Sequence, residues 1–194
     1  KHTTLYNEVL RYWDEKRAEA SEIRIKFLLP DLPRGTFRDD ISLENSILFD
    51  VGCYAITELA DLSISLEHIQ LDEVLMRENR LRYVRANSQI NHKVLIEFGF
   101  GYQYMNTLEF VLLDGSAMKF EPIFFGRQGE RKIHQTDKLG KIKFTKVLEK
   151  NAFANMFSTR LSYWKNSQEE RLDKIEKCIS CLETLRAEIP GLPR

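Results

Sequence analysis

The sequence predicts an α+β fold: a mixed, largely antiparallel open sheet with helices packed on one face. Three observations predict it. Amphipathic helical stretches gather towards the two ends of the chain, period-two alternation dominates the middle, and Asp114-Gly115 is the two-residue signal of a tight hairpin. Helices and strands segregated in this way, rather than alternating, mark α+β architecture.

The elements follow in order. Thr3 and Thr4 can cap a helix from Leu5 to Lys16, in which Leu5, Val9, Tyr12 and Trp13 share a face. Ile23, Ile25 and Phe27 alternate as a strand. Pro30, Pro33 and Gly35 then exclude regular structure from a loop running to Asp40. Ser42 can cap the next helix, Leu43 to Leu62, with Asn45 where a capping box would place Glu or Gln. Beyond it Leu81 and Tyr83, then Val94, Ile96, Phe98 and Phe100, then Leu108, Phe110 and Leu112 alternate with polar residues as strands. The Asp114-Gly115 hairpin pairs the last of these with a strand from Ser116 to Phe125. A polar loop from Gly126 to Gly140 leads to a short strand, Lys141 to Val147. Two helices close the chain. The first, Asn151 to Trp164, carries Phe153, Met156, Phe157 and Leu161; the second carries Leu172, Ile175, Ile179, Leu182 and Leu185, and ends at Pro190-Gly191.

Composition narrows the function. With 29 basic and 29 acidic residues among 194, and no long block of either sign, the chain suits neither a nucleic acid nor a membrane surface as partner. No stretch reaches the roughly 18 apolar residues of a membrane helix, and the N-terminus lacks signal-peptide order, so a soluble, cytoplasmic protein is expected. Three cysteines, Cys53, Cys178 and Cys181, suit a reducing compartment better than a disulfide scaffold. A Rossmann reading fails, because Gly99-Phe100-Gly101 sits between two strands and opens no helix. The chain starts at Lys1 without a methionine and is expected to be an excised domain of a longer protein.

The chemistry concentrates in Ser46 to Thr57, where Asp50 is the only charge among apolar and small residues. An ionised carboxylate in such surroundings needs a partner or a cavity. Tyr54 lies four residues on, one turn up the same face, and Gly52 between them costs about 1 kcal/mol relative to Ala in a helix interior. Two readings stand. The three residues line a site, or Asp50 sits near a helix start, Tyr54 is a core ring and Gly52 serves a close helix-to-sheet contact.

Phe37-Arg38-Asp39-Asp40, Asp50-Val51-Gly52-Cys53-Tyr54, Phe98-Gly99-Phe100-Gly101-Tyr102, Leu108-Glu109 and Asp114-Gly115-Ser116 ahead of Phe120 together resemble one family. It is the C-terminal, substrate-binding domain of the glucose-fructose oxidoreductase / inositol dehydrogenase / MocA oxidoreductases, a domain similar to that of dihydrodipicolinate reductase. The resemblance runs from the first helix to the last. It implies a substrate-binding and oligomerisation domain over residues 1–194, with the dinucleotide-binding Rossmann domain outside this chain. It further implies that Asp50 and Tyr54 are catalytic, filling the family's Asp-x-Gly-x-(His/Tyr) pattern. Tyr54 would exchange a proton with a sugar or nucleotide-sugar substrate, and Asp50 would orient that substrate. NAD or NADP would exchange the hydride in the full-length protein, with neither expected to bind this chain alone. A phenol with an unperturbed pKa of about 10 needs a nearby cation to act at neutral pH. The family draws that cation from a Glu-Lys-Pro lysine of the N-terminal domain, and no Glu-Lys-Pro occurs in this chain.

The family's small-residue run before the aspartate is replaced here by Glu44-Asn45-Ser46. Asn45, with Arg38 in the preceding loop, is therefore a candidate substrate contact. The same replacement leaves room for a second reading, a non-catalytic binding or oligomerisation module that keeps the fold. The remaining features have plain structural readings beside functional ones. Cys178 and Cys181 read as packed or flanking cysteines rather than a metal or redox pair, with no metal expected. His2, His68, His92 and His134 read as surface residues. Arg127, Arg131, Lys132 and His134 read as a solvated loop, or one that closes over a phosphate. Leu95, Val111 and Leu113 make the open sheet face partly apolar, which suits a homo-oligomer interface there.

Overall fold

The computed structural model describes residues 4–31, 47–78, 80–124, 129–149 and 168–190. Among the described residues three helices and eight strands are laid down in the order α1 (Thr4–Lys16), β1 (Ala20–Leu29), α2 (Cys53–Asp61, entered through a π-helical turn at Ile47–Gly52), β2 (Gln70–Arg77), β3 (Arg80–Ser88), β4 (Lys93–Phe100), β5 (Met105–Leu112), β6 (Ala117–Glu121), β7 (Gly129–Thr136), β8 (Ile142–Glu149) and α3 (Gln168–Glu188). The strands hydrogen-bond in the order β2-β3-β4-β1-β5-β6-β7-β8, with β2 and β8 at the two ends of that order among the described residues. The chain divides into two compact units. One comprises Lys1–Arg24 and Asn106–Leu172, the other Ile25–Met105 and Asp173–Arg194.

In the first unit β1 runs antiparallel to β5, because their contacts move in opposite directions along the two strands. The Glu19 carbonyl accepts from the Leu113 N–H, Ser21 Oγ donates to the Val111 carbonyl, and Arg24 pairs with Glu109 at 3.1 Å. The β5–β6, β6–β7 and β7–β8 pairs are antiparallel as well. The expected hairpin is present. Gly115 takes φ +83°, and Asp114 Oδ1 accepts from both the Ser116 N–H and its hydroxyl. These bonds hold the Asp114 carboxyl below its usual range. Leu5, Val9 and Trp13 of α1 meet Leu108, Phe110 and Phe120 in a core without solvent access, with the Trp13 and Phe110 rings stacked at 5.2 Å.

In the second unit the last residues of β1 run alongside β4. Lys26 pairs with Glu97 at 3.0 Å, and the Leu29 carbonyl accepts from the N–H groups of Gly101 and Tyr102. The contacts advance together along both strands, so this pair is parallel and the sheet is mixed. Phe27 and Phe98, next along each strand, turn to the helix side and are fully buried. There α2 contributes Ala55, Ile56 and Leu59, and α3 contributes Cys178, Cys181, Leu182 and Leu185, with Ile189 just past its end.

Several expectations change. The segment from Gly126 to Gly140 is not a loop throughout, because β7 occupies Gly129–Thr136. Arg131, Ile133 and Gln135 share one side of the strand, of which Arg131 is buried and Gln135 exposed, and the two polar side chains conceal the period-two pattern. β2 gives no apolar alternation either; as an edge strand with mostly exposed positions it needs none. β6 ends at Glu121, ahead of Pro122, rather than at Phe125. On α3, Leu172, Ile175 and Ile179 face solvent, and the buried row is the one that runs through the two cysteines. The expected helix from Asn151 to Trp164 lies outside the described residues.

Candidate active site

Asp50 and Tyr54 sit on the outward side of the segment that opens α2. Ile47, Leu48, Val51 and Gly52 are buried, as are Ala55, Ile56 and Leu59, whereas Phe49 is 36% and Tyr54 40% exposed and Asp50 is half-buried. A backbone that buries one side so completely must present the other. The exposed side therefore reads Phe49, Asp50, Tyr54, with Cys53 and Thr57 half-buried between and beyond them.

The π-helical turn spans Ile47–Gly52 and so contains the aspartate of the motif. Such turns are rare, bond i→i+5, and recur at functional sites. An α-helix comes round in about 3.6 residues, so positions four apart overshoot one another. A π turn comes round later, and the step from Asp50 to Tyr54 passes from this turn into the first residues of α2. The sequence pattern gives no sign of this turn.

Gly52 has a definite structural cause. A Cβ placed on it would lie 2.8, 2.9 and 3.2 Å from Phe98 Cζ, Cε2 and Cε1. The helix-to-sheet contact is thus the reading that the geometry supports, and it sets the height of the Asp50 turn above β4. Tyr54 rests on the neighbouring strand, its ring 5.4 Å from that of Phe27 and at 89° to it. Phe49 and Phe27 both escape sequence reasoning. Phe49 follows the general apolar run, and Phe27 looks like any inward strand residue.

Cys53 lies between the two motif residues with its Sγ 3.7 Å from the Asp50 carbonyl. Burial, and after it the Asp50 carboxylate, push its thiol above the ordinary range. Thr57 Oγ1 donates back to the Cys53 carbonyl at 2.5 Å. Burial also pushes Cys181 up to about 12, so neither thiol has the activated, thiolate character that redox or metal chemistry requires. All three cysteines are free, and no group of three or more metal-ligating side chains is found among the described residues.

Of the candidate substrate contacts, Arg38 and Asn45 lie outside the described residues. The phosphate-loop reading of the second basic group is corrected for the members that are described. Arg131 is buried and donates to the Pro122 carbonyl at 3.2 Å. His134 pairs across β6–β7 with Glu121 at 2.8 Å, which is also met by Lys119. Both are held by the sheet, and neither belongs to a mobile basic loop. The Gly99-Phe100-Gly101 segment serves the strands too. A Cβ on Gly99 would sit 2.8 Å from the Arg82 carbonyl, and Gly101 takes φ +87° as β4 ends. Nothing in it offers the phosphate cradle of a dinucleotide site.

A cleft of about 510 Å³ lies between residues 60–69 and α3, lined among others by Ser63, Leu66, Glu67, Lys177 and Thr184. Neither Asp50 nor Tyr54 lines it. Its walls mix both charge signs, Glu67 and Asp173 with Lys174 and Lys177, and hold neither motif residue, so the motif face is taken as the candidate site.

The open side of each unit is more polar than expected. Leu95 and Val111 are half-buried there and Leu113 is exposed, but in the first unit they share it with Arg24, Glu22 and Glu109, and in the second with Arg85, Asp72 and Glu73. The exposed apolar residues on β8 are Ile142, Phe144 and Leu148.

No protein-family model and no curated protein matches the chain. Solved structures do. KijD10, a 3-ketoreductase from Actinomadura kijaniata solved in complex with NADP and TDP-benzene, superimposes with a TM-score of 0.74 at 16% identity, covering 94% of this chain and 58% of its own. An assigned NADPH-dependent oxidoreductase from Desulfitobacterium hafniense gives 0.65 at 9% identity, covering 97% of this chain and 62% of its own. The assigned oxidoreductase yvaA from Bacillus subtilis gives 0.59 at 11% identity, over 93% and 60%. The chain shares its fold with part of these oxidoreductases and spans about three-fifths of their length.

Proposed function

We propose that this chain is the substrate-binding half of an NAD(P)-dependent oxidoreductase acting on a sugar or nucleotide sugar. The observation that carries the proposal is the π-turned segment that buries Ile47, Leu48, Val51 and Gly52 and leaves Asp50 and Tyr54 on its outward side, on a fold shared with oxidoreductases. KijD10, crystallised with TDP-benzene and NADP, supports a nucleotide-linked substrate and a nicotinamide cofactor.

In this reading Tyr54 holds the proton exchanged with the substrate oxygen. Asp50, one turn earlier, accepts hydrogen bonds from substrate hydroxyls and fixes the ring's orientation. Phe49 offers an apolar edge beside them, and Arg38 and Asn45 contact the substrate from the segment leading into the helix. NAD or NADP supplies or takes the hydride when bound, and its site belongs to a Rossmann domain outside this chain. The lysine that would lower the phenol's pKa belongs there too. The protein is soluble and cytoplasmic in this reading, in keeping with the lack of any described helix long and apolar enough to cross a membrane. It forms a homo-oligomer through the open sheet face, with the Ile142, Phe144 and Leu148 row as an apolar contribution.

The second reading, a non-catalytic module that keeps the fold, is favoured by Glu44-Asn45-Ser46 in place of a small-residue run. One experiment separates the two. The protein carrying this chain with its dinucleotide domain is assayed for NAD(P)H oxidation against a panel of keto sugars and their nucleotide-linked forms. Turnover by the whole protein and none by residues 1–194 alone is the expected result. Absence of turnover with every member of the panel, together with absence of NAD(P) binding, favours the module.

A further inference from the structure

We infer that Phe27 is a positioning residue for Tyr54, an inference that rests on the catalytic reading of Tyr54 given above. Tyr54 projects from the exposed side of α2 and is 40% exposed. Phe27 supports its ring from the sheet. It is 1% exposed, locked in β1, and its ring stands at 89° to that of Tyr54 with centroids 5.4 Å apart. This is the edge-to-face geometry that aromatic pairs prefer, with the positive edge of one ring on the negative face of the other.

The arrangement has two parts. On β4, Phe98 sits beneath Gly52 and sets the height of the Asp50 turn. On β1, beside β4 in the sheet, Phe27 sets the tilt of the Tyr54 ring. A proton can pass between a phenol and a substrate oxygen only within hydrogen-bond reach, and a displacement of about 1 Å can cost on the order of a hundredfold in rate. Loss of the Phe27 ring leaves the Tyr54 hydroxyl on the same helix and removes the edge-to-face contact that sets its tilt. It should therefore lower kcat and leave the substrate contacts that govern KM in place.

The test uses the full-length protein with Phe27→Leu, and with Phe27→Met should the first variant not fold. Phe110→Leu is the control, since Phe110 is equally buried but packs on Tyr12 and Trp13 in the other unit. Phe27→Leu is expected to lower kcat about ten- to a hundredfold with KM within about twofold, while Phe110→Leu loses stability and keeps kcat. Single-turnover rates on the Tyr54→Phe background complete the cycle. Phe27→Leu should cost little more there, because its effect passes through the missing hydroxyl. An unchanged kcat in Phe27→Leu, or an equal loss on both backgrounds, overturns the positioning role while Tyr54 keeps its own. Full activity in Tyr54→Phe overturns the catalytic reading instead.

Discussion

Gly52→Ala tests the packing that supports the candidate site. The backbone permits it, because Gly52 has φ −63° and ψ −33°, ordinary helical values. The side chain does not fit. Its Cβ would lie 2.8 and 2.9 Å from two ring carbons of Phe98, and Phe98 is fully buried. Overpacking of this kind costs about 1–3 kcal/mol, and better helix propensity returns about 1 kcal/mol. Two contacts inside 3.0 Å put the clash in the upper part of its range, so a net loss of about 1–2 kcal/mol is expected. In a chain of this size that lowers Tm by roughly 2–8 °C. Urea titration followed by far-UV circular dichroism measures it, and Gly52→Ala on a Phe98→Leu background should recover most of the loss. An alanine variant as stable as the parent, or more so, would refute the contact.

Three other outcomes follow from the geometry. Asn106 is buried, accepts from the Ile123 and Phe124 N–H groups and donates to the Phe124 carbonyl, and the Ile123 N–H also reaches the Asn106 backbone carbonyl at 3.2 Å, so Asn106→Ala should cost about 1–3 kcal/mol in a denaturation experiment. Burial pushes the Tyr83 phenol up to about 12, against about 10 unfolded. The folded state then binds the extra proton between those values, so stability falls as pH rises from about 10 to about 12. Absorbance titration at the phenolate band should show a late step that Tyr83→Phe removes. With a thiol reagent at pH 8, half-buried Cys53 should react before buried Cys178 and Cys181, and all three should react at once in denaturant.

The central sheet was legible because most of its inward positions are apolar. Val94, Ile96 and Phe98 on β4 and Leu108, Phe110 and Leu112 on β5 are all buried, and Glu97 and Glu109 between them mark the opposite face. β7 was illegible because an inward arginine, Arg131, is satisfied by the Pro122 carbonyl, a bond made through tertiary structure. α3 carries apolar residues on two sides, and spacing alone cannot say which side meets the sheet. At the site, the four-residue step from Asp50 to Tyr54 and the oddity of Gly52 were visible. Their supports were not. Phe98 beneath Gly52 and Phe27 beside Tyr54 are contacts between residues far apart in the chain, and both depend on β1 lying next to β4.

Replacing Tyr54 by phenylalanine removes one hydroxyl and keeps the ring that packs on Phe27. In the full-length protein, turnover and dinucleotide binding are measured side by side on parent and variant. The account predicts that Tyr54→Phe loses turnover by at least about a hundredfold, the low end for a general acid–base, with NAD(P) affinity unchanged. Undiminished turnover in that variant would contradict it.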